Sequence, residues 1–103
     1  MNYKLFLDDE RFPPENNSDP IITLIARSYY EGTEIVRTCG LPGSISFDHD
    51  LGDGKKNGHQ FAMFLVNYCL DHDIKPDMDW YVHSQNPVGK ENIEGLMKAF
   101  FNK

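Results

Sequence analysis

The sequence predicts an α/β domain with a short, mainly parallel sheet of about four strands and about three helices. Three observations carry this. Short apolar runs alternate with helix-period segments in the order strand, strand, helix, strand, helix, strand, helix. A length of 103 residues, with no repeat, linker or low-complexity tract, suits one domain spanning residues 1–103. A hydrophobic share of 40% then supplies enough apolar side chain for a core, which excludes wholesale disorder.

Tyr3-Lys4-Leu5-Phe6-Leu7 is apolar and stops at Asp8-Asp9-Glu10-Arg11, which reads as a buried strand. Residues 12–20, with Pro13, Pro14 and Pro20, read as a loop. Residues 21–26 are β-branched and apolar, a second strand. Ser28 is positioned to cap a helix over 29–38, with Ile35 and Val36 inward, and Gly40 and Pro42 end it. Ser44-Ile45-Ser46-Phe47 is a third strand, closed by Asp48-His49-Asp50, and the glycine-rich stretch 51–58 is a loop. Over 59–72, Phe61, Phe64, Leu65 and Tyr68 fall at i, i+3, i+4 and i+7, one buried helical face. Residues 74–77 form a turn, and 79–82 a fourth strand ending at His83-Ser84. A last helix covers 90–101, with Ile93, Leu96, Met97 and Phe100 on one side.

The formal charge is −6, from 16 Asp+Glu against 10 Lys+Arg. Tight binding to duplex DNA needs a basic footprint, so that class is excluded. No apolar stretch approaches the roughly 20 residues of a membrane span. The N-terminus enters a strand without signal-peptide architecture. Cys39 and Cys69 make neither a disulfide framework nor a metal-ligand pair, so a reducing, cytoplasmic setting is expected. Six acids (Asp8, Asp9, Glu10, Asp48, Asp50 and Asp53) lie at or just after two strand ends. Without them, ten acids remain to match the 10 Lys+Arg, so the excess charge is local.

Three of the four strands end in polar clusters, and open parallel sheets bind ligands beyond their carboxyl ends. Each cluster alone also fits a solvated turn, since Asp is common in turns. Together they bring four carboxylates and two imidazoles to one pocket. Unpaired carboxylates repel, and a hard divalent cation on Asp8, Asp9, Asp48 and Asp50 resolves this: Mg²⁺ first, with Mn²⁺ or Ca²⁺ as alternatives. His49, between two aspartates, and His83 form an acid–base pair suited to opening a cyclic phosphodiester, with Asp48 beside them. The donor-rich segment after His83 opens a helix, where Ser84, Asn86, Lys90 and Asn92 are placed to hold a phosphate. Arg11 offers a bidentate phosphate contact, or a salt bridge to Glu10 or Asp50.

Leu5-Phe6-Leu7-Asp8-Asp9-Glu10-Arg11 with Pro13-Pro14, Ser46-Phe47-Asp48-His49-Asp50-Leu51-Gly52, and Val82-His83-Ser84-Gln85-Asn86-Pro87-Val88-Gly89-Lys90-Glu91-Asn92 together resemble the cyclic-phosphate processing receiver domains. The resemblance implies a receiver-like (flavodoxin-like) three-layer sandwich. It also implies binding or hydrolysis of cyclic phosphates, whether cyclic nucleotides or RNA 2′,3′-cyclic phosphate ends, and the acid cluster makes a metal-dependent phosphoesterase the leading expectation. Asp8 and Asp9 match the metal-binding acidic pair of ordinary receivers, Asp48 the phosphoryl acceptor and Ser84 the hydroxyl residue. No helix separates the first two strands, and no fifth strand with its lysine follows the last helix. These departures weaken a phosphorylatable signalling receiver. A non-catalytic module that sequesters a nucleotide is the other alternative.

Overall fold

Four strands of four residues pair in parallel and finish level with one another. In a computed structural model describing residues 3–13, 20–48, 50–51, 56–74 and 77–101, they are β1 (Lys4–Leu7), β2 (Thr23–Ala26), β3 (Ser44–Phe47) and β4 (Asp79–Val82). The helices are α1 (Tyr29–Cys39), α2 (Gly58–Asp71) and α3 (Pro87–Phe101). The sheet order is β2-β1-β3-β4. Leu7 pairs with Ala26 on one side and Phe47 on the other, and Phe47 pairs with Val82. That shared register brings all four carboxyl ends to one rim.

Alternation along the strands divides the sheet into two faces. Leu5, Leu7, Ala26, Ile45 and Phe47 pack with inward residues of all three helices in one core. Steps from β2 to β3 and from β3 to β4 move across the sheet in the same direction, so right-handed crossovers put α1 and α2 on the same face. The step from β1 to β2 runs the opposite way. Pro13 and Ile21, near the described ends of that connection, line a groove of about 580 Å³ on the other face, with Lys4, Phe6, Ser46 and Tyr81. The architecture is therefore the parallel, receiver-like α/β arrangement. The described residues supply its sheet and one helical layer; 14–19, within the β1–β2 connection, lie outside them.

Local chemistry fixes the element ends. Ser28 Oγ accepts from the Glu31 N–H at 3.1 Å, capping α1. Gly40 closes α1 at φ 85°, a conformation that favours glycine. A capping box opens α2: the Gln60 N–H donates to Asn57 Oδ1 and the Asn57 N–H to Gln60 Oε1. Two boundaries differ from the sequence reading by more than one residue. β2 begins at Thr23, the residue that pairs with Lys4, and the Ile22 carbonyl just before it accepts from the Lys4 N–H at 2.8 Å. α3 begins three residues earlier than expected, at Pro87, because Asn86 Oδ1 accepts from the Gly89 N–H at 3.0 Å and Pro87 occupies the first helical position. Among the described residues, no helix is long and apolar enough to cross a membrane.

Candidate functional site

The sheet order places a topological switch point between β1 and β3, where the connections diverge to opposite sides. Asp8 follows β1 and Asp48 follows β3, so these two carboxylates flank the crevice. Asp8 is fully buried and Asp48 nearly so. Asp9 is exposed.

Asp8 is ringed by donors and positive charge. Its Oδ1 accepts from the Glu10 N–H at 3.0 Å and the Arg11 N–H at 2.9 Å. Its Oδ2 accepts from His83 Nε2 at 2.9 Å and is ion-paired with Arg11, whose Nε lies 3.0 Å away. A carboxylate offers about four lone-pair positions; three accept hydrogen bonds here, and the Arg11 charge lies against Oδ2. Burial alone pushes the Asp8 pKa up. The backbone N–H groups of Arg11 and Glu10, the His83 hydrogen bond and the Arg11 charge outweigh it, so the carboxyl is held below its ordinary value.

Arg11 joins the two strand ends. While Nε faces Asp8, Nη2 donates to Asp48 Oδ2 at 3.1 Å. Desolvation works against its charge, but Asp8 and Asp48 prevail and hold the guanidinium more firmly protonated than usual. Its side chain remains 41% exposed. The backbone that carries it is itself clamped: Arg27 Nη1 donates to the carbonyl of Asp8 at 3.1 Å and to that of Arg11. Arg27 also lies over the Phe12 ring, 4.7 Å from its centroid.

His83 lies flat on Phe6, with ring centroids 4.7 Å apart and planes 3° from parallel. Its Nδ1 stands 2.7 Å from Ser46 Oγ. Because ionised Asp8 can only accept, Nε2 is assigned the proton in the neutral ring, and Nδ1 then accepts from the Ser46 hydroxyl. The result is a hydrogen-bonded chain Ser46–His83–Asp8, running from the groove on the open face to the strand-end crevice.

Of the residues the sequence singled out, Asp8, Arg11, Asp48 and His83 are brought together. Ligand atoms of Asp8, Asp48 and His83 lie within 4.8 Å of one another; among the described residues, Asp9 and Asp50 are not part of that group, and both are exposed. His49 lies outside the described residues. Arg11 engages Asp8 and Asp48 at 3.0 and 3.1 Å. Ser84 is buried, and its Oγ accepts from the Asn86 N–H at 3.1 Å. Asn86 caps α3, and the Lys90 N–H donates to its carbonyl at 2.8 Å; Asn92 is exposed in the same helix. The helix N-terminus is therefore beside His83, with one of its free N–H groups already taken by Asn86.

Ser46 and Arg27 were not singled out from the sequence. Ser46 sits two residues before Asp48, on the strand face opposite Ile45 and Phe47, and that alternation is the only signal it carries. Arg27 directly follows β2, a further strand end that a search limited to acids and histidines passes over.

A buried carboxylate, a bridging guanidinium and an oriented imidazole at the switch point of a parallel sheet define a receiver-like α/β domain with a polar strand-end site. The family model for the cyclic-phosphate processing receiver domain matches residues 3–99, and the chain belongs to that family. A solved structure in which the yeast Spc42 trimeric coiled coil, amino acids 181–211, is fused to another protein is similar in fold, with a TM-score of 0.66 at 20% identity. The match covers 92% of this chain, which spans 63% of the length of that one. No curated protein matches the chain.

Proposed function

We propose that this domain binds a cyclic phosphodiester (a cyclic nucleotide or an RNA 2′,3′-cyclic phosphate end) at the strand-end crevice and hydrolyses it. The observation that supports this most is the chain Ser46–His83–Asp8, with His83 Nδ1 2.7 Å from the Ser46 hydroxyl and Nε2 2.9 Å from Asp8. Such an imidazole is oriented by its carboxylate and keeps one nitrogen for proton exchange, as general acid–base catalysis requires. The family's description, cyclic-phosphate processing, supports this choice of substrate class.

In the proposed reaction, water adds to phosphorus and one ring P–O bond breaks. The water proton ends on the released ribose oxygen, giving a monoester and a free hydroxyl. His83 exchanges that proton at Nδ1, directly or through Ser46. The exposed part of Arg11 and the N-terminus of α3 bind the phosphoryl oxygens.

A panel of 2′,3′- and 3′,5′-cyclic nucleotides, followed by ³¹P NMR and calorimetry, tests this. Turnover of a 2′,3′-cyclic nucleotide that His83→Ala abolishes is the expected result. Binding without turnover identifies a sequestering module instead, and neither binding nor turnover across the panel rejects the reading.

A further inference from the structure

We infer that Arg11 is the resident cation of this site, standing where a divalent ion would, so that the domain takes its phosphorylated ligand without a metal. This rests on the proposed function for the ligand and on the Arg11 geometry for the cation. Two facing carboxylates need a positive charge between them, and the structure supplies one from the chain: Nε on Asp8 at 3.0 Å and Nη2 on Asp48 at 3.1 Å. One planar fork spanning two carboxylates matches guanidinium geometry, which a lysine ammonium cannot reproduce.

The donor set argues the same way. Mg²⁺ requires close, near-octahedral oxygen ligands. Asp8 is already engaged on both oxygens, by two backbone N–H groups at Oδ1 and at Oδ2 by the His83 hydrogen bond and the Arg11 ion pair, all of which a close-bound ion would have to compete with. The third group within reach is an imidazole, a poor ligand for a hard cation, and its Nε2 is the nitrogen that faces Asp8. Asp9 and Asp50, the acids expected to complete an oxygen cage, are exposed and lie outside the group that Asp8, Asp48 and His83 form. An entering ion has to displace Arg11 from both carboxylates, while Arg27 holds the Arg11 carbonyl in place.

Thermal melts and calorimetry with Mg²⁺ and Mn²⁺ alone, on wild type, Arg11→Gln and Arg11→Lys, test the inference, together with binding of 2′,3′-cyclic AMP in excess EDTA and in excess Mg²⁺. The wild type is expected to show no saturable metal binding and no shift in melting temperature. Arg11→Gln, which leaves Asp8 and Asp48 without their cation, is expected to acquire a saturable rise with either metal, and Arg11→Lys is not. Nucleotide affinity in the wild type is expected to be the same with EDTA as with Mg²⁺. Saturable metal binding by the wild type that Asp8→Asn or Asp48→Asn removes overturns the inference, as does an Arg11→Gln protein that folds but gains no metal response. Should Arg11→Gln not fold, the wild-type and Arg11→Lys titrations decide. A nucleotide that binds in neither condition rejects the proposed function, while the metal titrations still judge Arg11.

Discussion

His83 donates from Nε2 to Asp8 Oδ2 at 2.9 Å, joining residues 75 positions apart in the chain across the ends of β1 and β4. Those strands are not neighbours, since β3 lies between them, so the contact spans the rim of the sheet. Asp8→Asn keeps the shape but places an amide among donors, so at least one N–H of Arg11 or His83 loses its acceptor. Hydrogen bonds to charged groups contribute about 1.5–3 kcal/mol, and the loss is expected in that range. Chemical denaturation at neutral pH measures it, and an Asn variant as stable as wild type contradicts this account of the Asp8 carboxylate.

The same carboxylate gives the domain an acid sensitivity of defined sign. The Asp8 pKa is lowered in the folded state, so its contribution is fully present above the ordinary carboxylate value of about 3.9 and is lost as the pH falls through the lower folded value. Wild type should therefore lose more unfolding free energy below about pH 4 than Asp8→Asn, which has no proton to take up there. Urea melts of both proteins from neutral to acidic pH check this. Parallel pH profiles rule out Asp8 as the source.

Ser46 separates catalysis from stability. Among the described residues its hydroxyl is bonded to His83 Nδ1, and a neutral hydrogen bond contributes about 1 kcal/mol, so Ser46→Ala should unfold at nearly the wild-type denaturant concentration. Because Phe6 and Asp8 still hold the ring, ligand affinity should be retained while kcat falls about 10–100-fold. Ser46→Thr keeps a hydroxyl at that position and should recover most of the rate. Equal kcat in wild type and Ser46→Ala means that Nδ1 exchanges its proton with another group.

How much of this was legible in the sequence follows from what periodicity encodes. Apolar alternation and the i, i+3, i+4 spacing mark faces, so the strands and helices and their order were readable, and the parallel order carried Asp8, Asp48 and His83 to one rim. Periodicity does not distinguish Asp8 from Asp9: adjacent acids after one strand differ only in which side of the turning chain they take, and one is fully buried while the other is exposed. Nor does it say which acids Arg11 will pair with, because the answer depends on β3 lying beside β1 rather than on sequence distance. Asn86 was read as a phosphate donor because it lies in a polar run after a strand. Its side-chain oxygen also caps α3, a role that the following Pro87 already signalled, and the cap leaves the Nδ2 donor of that reading unused.

The packing that sets the rim has its own test at Gly32, where α1 crosses α2 and β1. A Cβ there would lie 2.7 Å from Phe61 Cε1 and 3.3 Å from Leu7 Cδ1. By helix propensity alone, Gly32→Ala gains about 1 kcal/mol. Phe61 and Leu7 are both fully buried, so neither can yield toward solvent, and forcing a methyl group into such a contact costs about 1–3 kcal/mol. The steric cost therefore meets or exceeds the propensity gain, and the variant is expected to be destabilised by up to about 2 kcal/mol. Leu7 immediately precedes Asp8, so displacement of its side chain should also reach the Asp8–His83 hydrogen bond. Denaturant melts together with the His83 ring resonances in NMR measure both effects. A Gly32→Ala protein more stable than wild type, with His83 unshifted, shows that α1 can move off the sheet without disturbing the strand ends.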